Sequence, residues 1–247
     1  MGNIILVGCD LHDKNMLLKI AVGIGPACKR VVQNNAAGRK AAIEDLKTRA
    51  AAAGDAQLVF AYEASGLGFG LHDELTAAGI VCHVLAPSKM LATPKQRQAK
   101  TDEKDAEKIL EVLRGHYLAG NKLPSVWIPD LQTRDDRELV RCRLDAQGKC
   151  SRLKIQIVTL LKRQGLAKPA DMGGNWTKAY CIWLAKLTGC AQPLQAGARM
   201  HLSSLLRQLR SLEKELGIWT RNWKNWPPPN GMRARCRRCK KYVRWAW

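Results

Sequence analysis

The sequence predicts an α/β fold, a mixed sheet with flanking helices, followed by a long antiparallel helical, coiled-coil extension. Three observations predict it. Short apolar runs alternate with helical stretches over the first 120 residues, and leucines recur at heptad spacing over much of the remainder. The charge divides the chain at the same place. Alternation of the first kind describes a sheet covered by helices, and a heptad seam describes helices packed on one another.

Residues 3–10 (NIILVGCD) form an apolar run that ends on an acid. Residues 15–22 (NMLLKIAV) and 27–33 (ACKRVVQ) are two more strand-type runs, separated by the turn Gly23-Ile24-Gly25-Pro26. An alanine-rich helix is expected over 36–53, stopped by Gly54. QLVFAYE (57–63) is a buried strand, a helix over 68–78 stops at Gly79, and IVCHVLA (80–86) is a strand broken by Pro87. A helix over 102–114 is expected to stop at Gly115. The order β-β-β-α-β-α-β-α, with three strands able to pair as a meander, is that of the ribonuclease H-like (RuvC-like) fold.

Beyond residue 120 the pattern changes. One long helix is expected over 131–164, where Leu139, Ala146, Leu153 and Leu160 repeat at seven. Arg143, Cys150 and Ile157 fill the alternate heptad position, and Arg143 weakens the seam. A second long helix is expected over 198–220, with Leu202, Leu205, Leu209, Leu212 and Leu216 spaced 3-4-3-4. Between them lie Gly173-Gly174 and a short helix around 176–187. The final WPPPNGMRARCRRCKKYVRWAW has three consecutive prolines, no acid, and no period that would bury its tryptophans. The organisation expected is an α/β domain over 1–120, a basic helical region over 121–226, and an unfolded, aberrant tail over 227–247.

At 46% hydrophobic the chain is not globally disordered. No apolar run reaches the roughly 18 residues of a membrane span, and MGNIILVGCD lacks the basic segment and cleavage site of a signal peptide. A soluble, cytoplasmic protein is expected. Nine cysteines at irregular spacing fit reduced thiols better than a disulfide framework. The net charge is +20. Residues 1–120 carry 15 Lys and Arg against 13 Asp and Glu, whereas residues 121–247 carry 26 against 8. Basic excess confined to one half points to a polyanion held there, nucleic acid before a merely solvated surface.

Asp10 and Glu63 each end a strand, and in the ribonuclease H order these two strands are central neighbours. Asp102 and Asp105, at i and i+3, share one face of the helix that would pack beside the first strand. Converging carboxylates repel one another, and a hard cation with oxygen ligands removes the conflict. Mg2+ (or Mn2+) suits such a site, and a pair of ions can activate an attacking oxygen and stabilise a leaving one. Each acid has a duller alternative: Asp102 as part of a solvated helix start, Glu63 as an exposed strand end. Their common edge is what favours the metal.

The segments VGCDLHDK, YEASGLGFGLHDELTAAGI and AKTDEKDAEKI resemble the N-terminal domain of the DEDD insertion-sequence transposases, the family that includes the Piv/MooV DNA invertases. In that family the strand-one Asp, a Glu before a small-Gly pair, and a KTDxxDA block supply the catalytic metal site. The resemblance therefore implies Asp10, Glu63, Asp102 and Asp105 as metal ligands. It is close over residues 3–115, and Lys100 to Ala106 is its most specific part. The helical stretch to about 225 resembles the family's coiled-coil linker, which implies oligomerisation. The implied activity is DNA transposition by strand cleavage and transfer, with DNA and a structured guide RNA as partners. Family members continue into a Pro-Gly-Ile-Gly-type hairpin and a nucleophilic serine. Neither motif is found in this sequence, and Ser203 and Ser204 read as ordinary helix residues. The tail is thus expected to mark a truncated or frameshifted copy, inactive alone in complete strand exchange.

Weaker signals remain. Cys236 and Cys239 form half a zinc site with no second pair, best read as chance. Gly66-Leu67-Gly68-Phe69-Gly70 does not match GxGxxG and reads as a close turn beside the metal site. Lys89, Lys95, Arg97 and Lys100 are candidate phosphate contacts, or simply a soluble loop. Trp219, Trp223 and Trp226 can stack on bases, but in a helix they more often pack on a partner. Two other functions fit the same residues: a ribonuclease H-like nuclease or junction resolvase, and a non-catalytic nucleic-acid-binding remnant or regulator.

Overall fold

The computed structural model describes residues 3–89, 101–190 and 192–224, with side chains as far as residue 221. The chain divides into two compact units, Met1–Ile128 and Pro129–Trp247.

The first unit is a mixed α/β fold. Its elements are β1 (Ile4–Leu11), β2 (Asn15–Val22), β3 (Cys28–Gln33), α1 (Ala36–Ala52), β4 (Gln57–Glu63), α2 (Gly70–Ala77), β5 (Val81–Leu85) and α3 (Asp102–Ala119). The five strands form one sheet in the order β3-β2-β1-β4-β5. β1 pairs antiparallel with β2, and β2 with β3, whereas β4 runs parallel to both β1 and β5. The meander and the central position of β1 are consistent with a ribonuclease H-like DEDD domain.

Two-residue alternation assigns the side chains of β1 to two layers. Ile5, Val7 and Cys9 join Phe60, Tyr62, Leu46 of α1 and Leu75 of α2 in one core. Leu6 points the other way, with Val59 and Ala61, onto Ile109, Leu110 and Leu113 of α3. Burying each of those α3 side chains contributes roughly 1.5–3 kcal/mol, enough to hold this helix flat on the sheet.

The helix ends follow local chemistry. Asn35 caps α1 by accepting from the Gly38 N–H at 2.8 Å, and Thr101 caps α3 by accepting from the Lys104 N–H at 3.3 Å. The expected stop of α3 at Gly115 is corrected: the helix runs to Ala119, and Gly120, at φ 73°, ends it. A single glycine inside a helix costs only about 1 kcal/mol, whereas a left-handed residue at the C-terminus terminates it. Gly115 has another use. A Cβ there would lie 2.9 Å from Asn121 Nδ2, so the glycine leaves room for the returning chain. That chain runs along the edge of β5, where Ala86 N–H donates to Pro124 O and Val126 N–H to Val84 O, both at 2.8 Å.

The second unit is helical: α4 (Leu131–Arg163), α5 (Lys178–Gly189) and α6 (Ala196–Lys224). Asp130 caps α4 by accepting from the Thr133 N–H at 2.6 Å. Its core joins Cys150, Leu153, Ile157, Leu160 and Leu161 of α4 to Tyr180, Leu184 and Leu187 of α5 and Leu202, Leu205, Leu206 and Leu209 of α6. The heptad positions of α4 are buried from Ala146 onward, while Leu139 and Arg143 are only half-buried. Lys154 and Glu213 pair at 3.2 Å between α4 and α6. Among the described residues no helix is long and apolar enough to cross a membrane, and the seven cysteines are free. The tail from residue 225, with Trp226, Cys236 and Cys239, lies outside the described residues, as does the side chain of Trp223.

Candidate metal centre

Asp10 lies one residue before the end of β1, and the parallel partner of its neighbour Cys9 is Tyr62, next to Glu63 at the end of β4. Alternation puts Asp10 on the face of Leu6 and Gly8, and Glu63 on that of Val59 and Ala61. This is the face that α3 covers. Gly8 makes the approach possible. A Cβ at this position would lie 2.4 Å from Ala106 O and 2.5 Å from Leu110 N, so α3 rests on bare β1 backbone. The first turn of α3 is thereby brought down on Asp10, carrying Asp102 and Asp105.

A second device fixes that turn. Lys19 of β2 donates to Glu103 at 2.8 Å and pairs with Glu107 at 3.3 Å, and Lys29 of β3 donates to the other Glu103 oxygen at 2.6 Å. Two lysines facing one another across a strand pair would repel. The two glutamates of α3 neutralise them and tie the helix to β2 and β3. The hydrogen bonds from Lys19 and Lys29 hold the Glu103 carboxyl down at about 2.

The acidic site opens beside this clamp. The Asp10 side chain is 17% exposed, and His12, 51% exposed, lies with Nε2 3.0 Å from Asp10 Oδ2. The same nitrogen is 3.6 Å from Asp102 Oδ1. One ligand atom from each of Asp10, His12 and Asp102 falls within 4.8 Å of the others. Burial pushes the Asp10 carboxyl above the usual carboxylate range; its hydrogen bond to His12 opposes this, and the nearby charges of Asp102 and Asp105 push it further up. Asp105, half-buried, therefore acts on Asp10 through space. Glu63 is half-buried at the neighbouring strand end. Asp10, Asp102 and Asp105 crowd negative charge at one sheet edge, a conflict that a cation relieves, while Glu63 is not part of the group whose ligand atoms converge.

Of the residues expected from sequence, Asp10 and Asp102 stand together, and Asp105 lies within electrostatic reach. Glu63 ends the adjacent strand on the same face. His12 escaped sequence reading, because one histidine in a turn has no period to single it out; its place two residues after Asp10 was the available signal. Gly66, Leu67 and Gly68, at φ 72°, form an exposed turn that leads through half-buried Phe69 into α2. Lys89 is exposed at the end of the short turn Pro87–Lys89, while Lys95, Arg97 and Lys100 lie outside the described residues. Ser203 and Ser204 lie within α6, where their hydroxyls accept from Arg207 at 2.8 Å and Gln208 at 3.2 Å.

Comparison with known proteins decides the family. The model of the DEDD transposase domain, described as a transposase, matches residues 7–164, well over half of the chain. The chain belongs to the DEDD transposase family. A Sinorhizobium fredii (strain NBRC 101917 / NGR234) protein carrying the name "Putative transposase y4qE" is similar as well, 32% identical over 125 residues. That match takes in 51% of this chain and 30% of the relative.

Proposed function

We propose that this chain is the metal-binding part of a transposase acting on DNA, with Asp10, Glu63, Asp102 and Asp105 holding Mg2+ or Mn2+ at the phosphodiester to be cut. The observation that carries the reading is the convergence of Asp10 and Asp102, each with a carboxylate oxygen within 4.8 Å of the other and of His12, with Asp10 pushed up by burial and by the neighbouring acids. An edge that concentrates carboxylates is a poor structural choice and a good cation site. The ions would supply a lowered barrier to ionising the attacking oxygen and charge for the leaving one. The residues' own part is to hold the oxygen ligands in place: Gly8 and the Glu103 clamp set the helix, and the ends of β1 and β4 set the strand acids.

The basic second unit is assigned in the same reading to nucleic acid, DNA and a structured guide RNA. The helical region is also assigned to bringing copies together, through surface other than the leucine seam of α4 and α6, which is buried within the unit itself. Because the hydroxyls of Ser203 and Ser204 are engaged within α6, they are poorly disposed as nucleophiles. On its own, the chain is therefore expected to bind metal and DNA without completing strand exchange.

The test is calorimetric titration of Mn2+ and Mg2+ into the parent chain and into Asp10→Ala, paired with a plasmid recombination assay. Binding that is lost in Asp10→Ala, without recombinant junctions, is the expected result. Unchanged metal binding in Asp10→Ala would sink the metal reading, and leave a nucleic-acid-binding regulator. Metal-dependent cutting of branched DNA without joining would instead identify a nuclease or resolvase.

A further inference from the structure

We infer that His12 is a further ligand of this metal through Nε2, and that its nitrogen turns the preference of the site from Mg2+ toward Mn2+. The inference rests on the acidic metal site proposed above and concerns a residue outside its four acids.

The geometry is that of neighbouring ligands. Around a six-coordinate ion with bonds of about 2.1 Å, adjacent ligand atoms stand roughly 3 Å apart and opposite ones about 4.2 Å. Nε2 of His12 is 3.0 Å from Asp10 Oδ2 and 3.6 Å from Asp102 Oδ1. The three ligand atoms fit within 4.8 Å, so sub-ångström adjustments suffice to place an ion among them. The imidazole already lies where positive charge is wanted.

The backbone is prepared for this. His12 N–H donates to Asn15 O at 3.0 Å in the turn from β1 to β2, and Asn34 Nδ2 donates to His12 O at 2.7 Å. The ring is therefore delivered from a closed, doubly anchored turn. Among the described residues its side chain meets only the two carboxylates. Of the other paired histidines, His83 meets the Tyr117 hydroxyl at 2.8 Å, His116 the Asn121 carbonyl at 2.6 Å, and His72 only its chain neighbour Asp73 at 3.2 Å, whereas His12 bridges acids of two elements. A ring that is half in solvent, with its nitrogen between two carboxylates, is not filling a core.

Ligand type then decides the ion. Mg2+ retains water and carboxylate or phosphate oxygens, whereas imidazole suits transition ions, whose affinity for mixed nitrogen and oxygen sites is higher. An all-carboxylate site would discriminate less between Mg2+ and Mn2+ than one in which a nitrogen is present.

The experiment loads the full chain with Mn2+ and reads it by pulsed electron paramagnetic resonance, alongside Mn2+ and Mg2+ titrations of the parent, His12→Ala and Asp10→Ala. Far-UV circular dichroism checks that each variant is folded, which the exposure of His12 favours. Expected is a nitrogen coupling of imidazole type in the parent that is absent in His12→Ala. Mn2+ binding of that variant should weaken about tenfold or more, with a smaller loss for Mg2+. Three results would overturn the inference while Asp10→Ala still abolishes binding: a parent without nitrogen coupling, a coupling that survives in His12→Ala, or equal losses for the two ions. Metal binding indifferent to Asp10→Ala would instead refute the acidic site itself.

Discussion

Asp10, near the end of β1, and Glu103, in the first turn of α3, answer to protons in opposite senses. Glu103 is held at about 2 by hydrogen bonds from Lys19 and Lys29, so its contribution to stability is complete above the unfolded value of about 4.3 and fades as pH falls toward 2. Asp10 is raised by burial, with its acidic neighbours adding to the effect. A carboxyl with a higher pKa folded than unfolded favours the folded state most when protonated. That advantage is present below the unfolded value of about 3.9 and is lost as pH rises through the folded one. Metal-free Asp10→Asn should therefore be more stable than the parent at pH 7, and the difference should vanish below about pH 4. Urea denaturation in chelator at both pH values checks this; a less stable Asn variant at pH 7 contradicts the crowding argument. Adding metal should reverse the order, since an ion at 100 times its Kd stabilises the parent by about 2.7 kcal/mol.

At the scale of elements, the contact of β1 with α3 decides whether there is a site at all. Gly8→Ala sets a methyl 2.4 Å from the Ala106 carbonyl oxygen, a backbone atom that cannot rotate aside. The helix must lift, at a cost of about 1–3 kcal/mol, the usual scale of overpacking. Its first turn would carry Asp102 away from Asp10, so metal binding should weaken more than stability alone would require. Thermal melts and Mn2+ titration of this variant measure both effects, and unchanged affinity would show that the acids converge without the close approach. The same contact explains what was legible in the sequence. Strand periods, the turn at Gly23-Ile24-Gly25-Pro26 and the Asp102/Asp105 spacing are local properties, so the elements could be read from residues alone, while the four acids are singled out with the help of the ribonuclease H strand order and the family resemblance. The tightness of Gly8 against α3, the Lys19–Glu103–Lys29 clamp and the partnership of His12 with two acids arise only when segments distant in sequence meet. Gly115 misled for the same reason. Its lack of a side chain serves Asn121, six residues on, and Gly120 makes the stop.

Across the whole molecule, charge and chemistry are separated along the chain. The acids of the candidate site belong to a stretch near neutrality, with 15 cationic against 13 anionic residues over 1–120, whereas residues 121–247 hold 26 against 8. On the function proposed above, two ligands would be recognised by two different means. The metal would be held by a few oriented donors, a short-range interaction that salt barely affects. A polyanion is held by many cations, and its binding is driven by the release of counterions. The two should come apart in experiment. DNA binding by the full chain should fall by about 10³–10⁵ between 50 and 200 mM salt if 6–10 phosphates are neutralised, with the same slope for the parent and for Asp10→Ala. Metal titration over that range should move far less, because the ligands are fixed at contact distance within the Debye length of about 10 Å. A salt slope that changes in Asp10→Ala would mean that the acidic edge itself touches the DNA backbone through bound metal, and would join what the charge distribution separates.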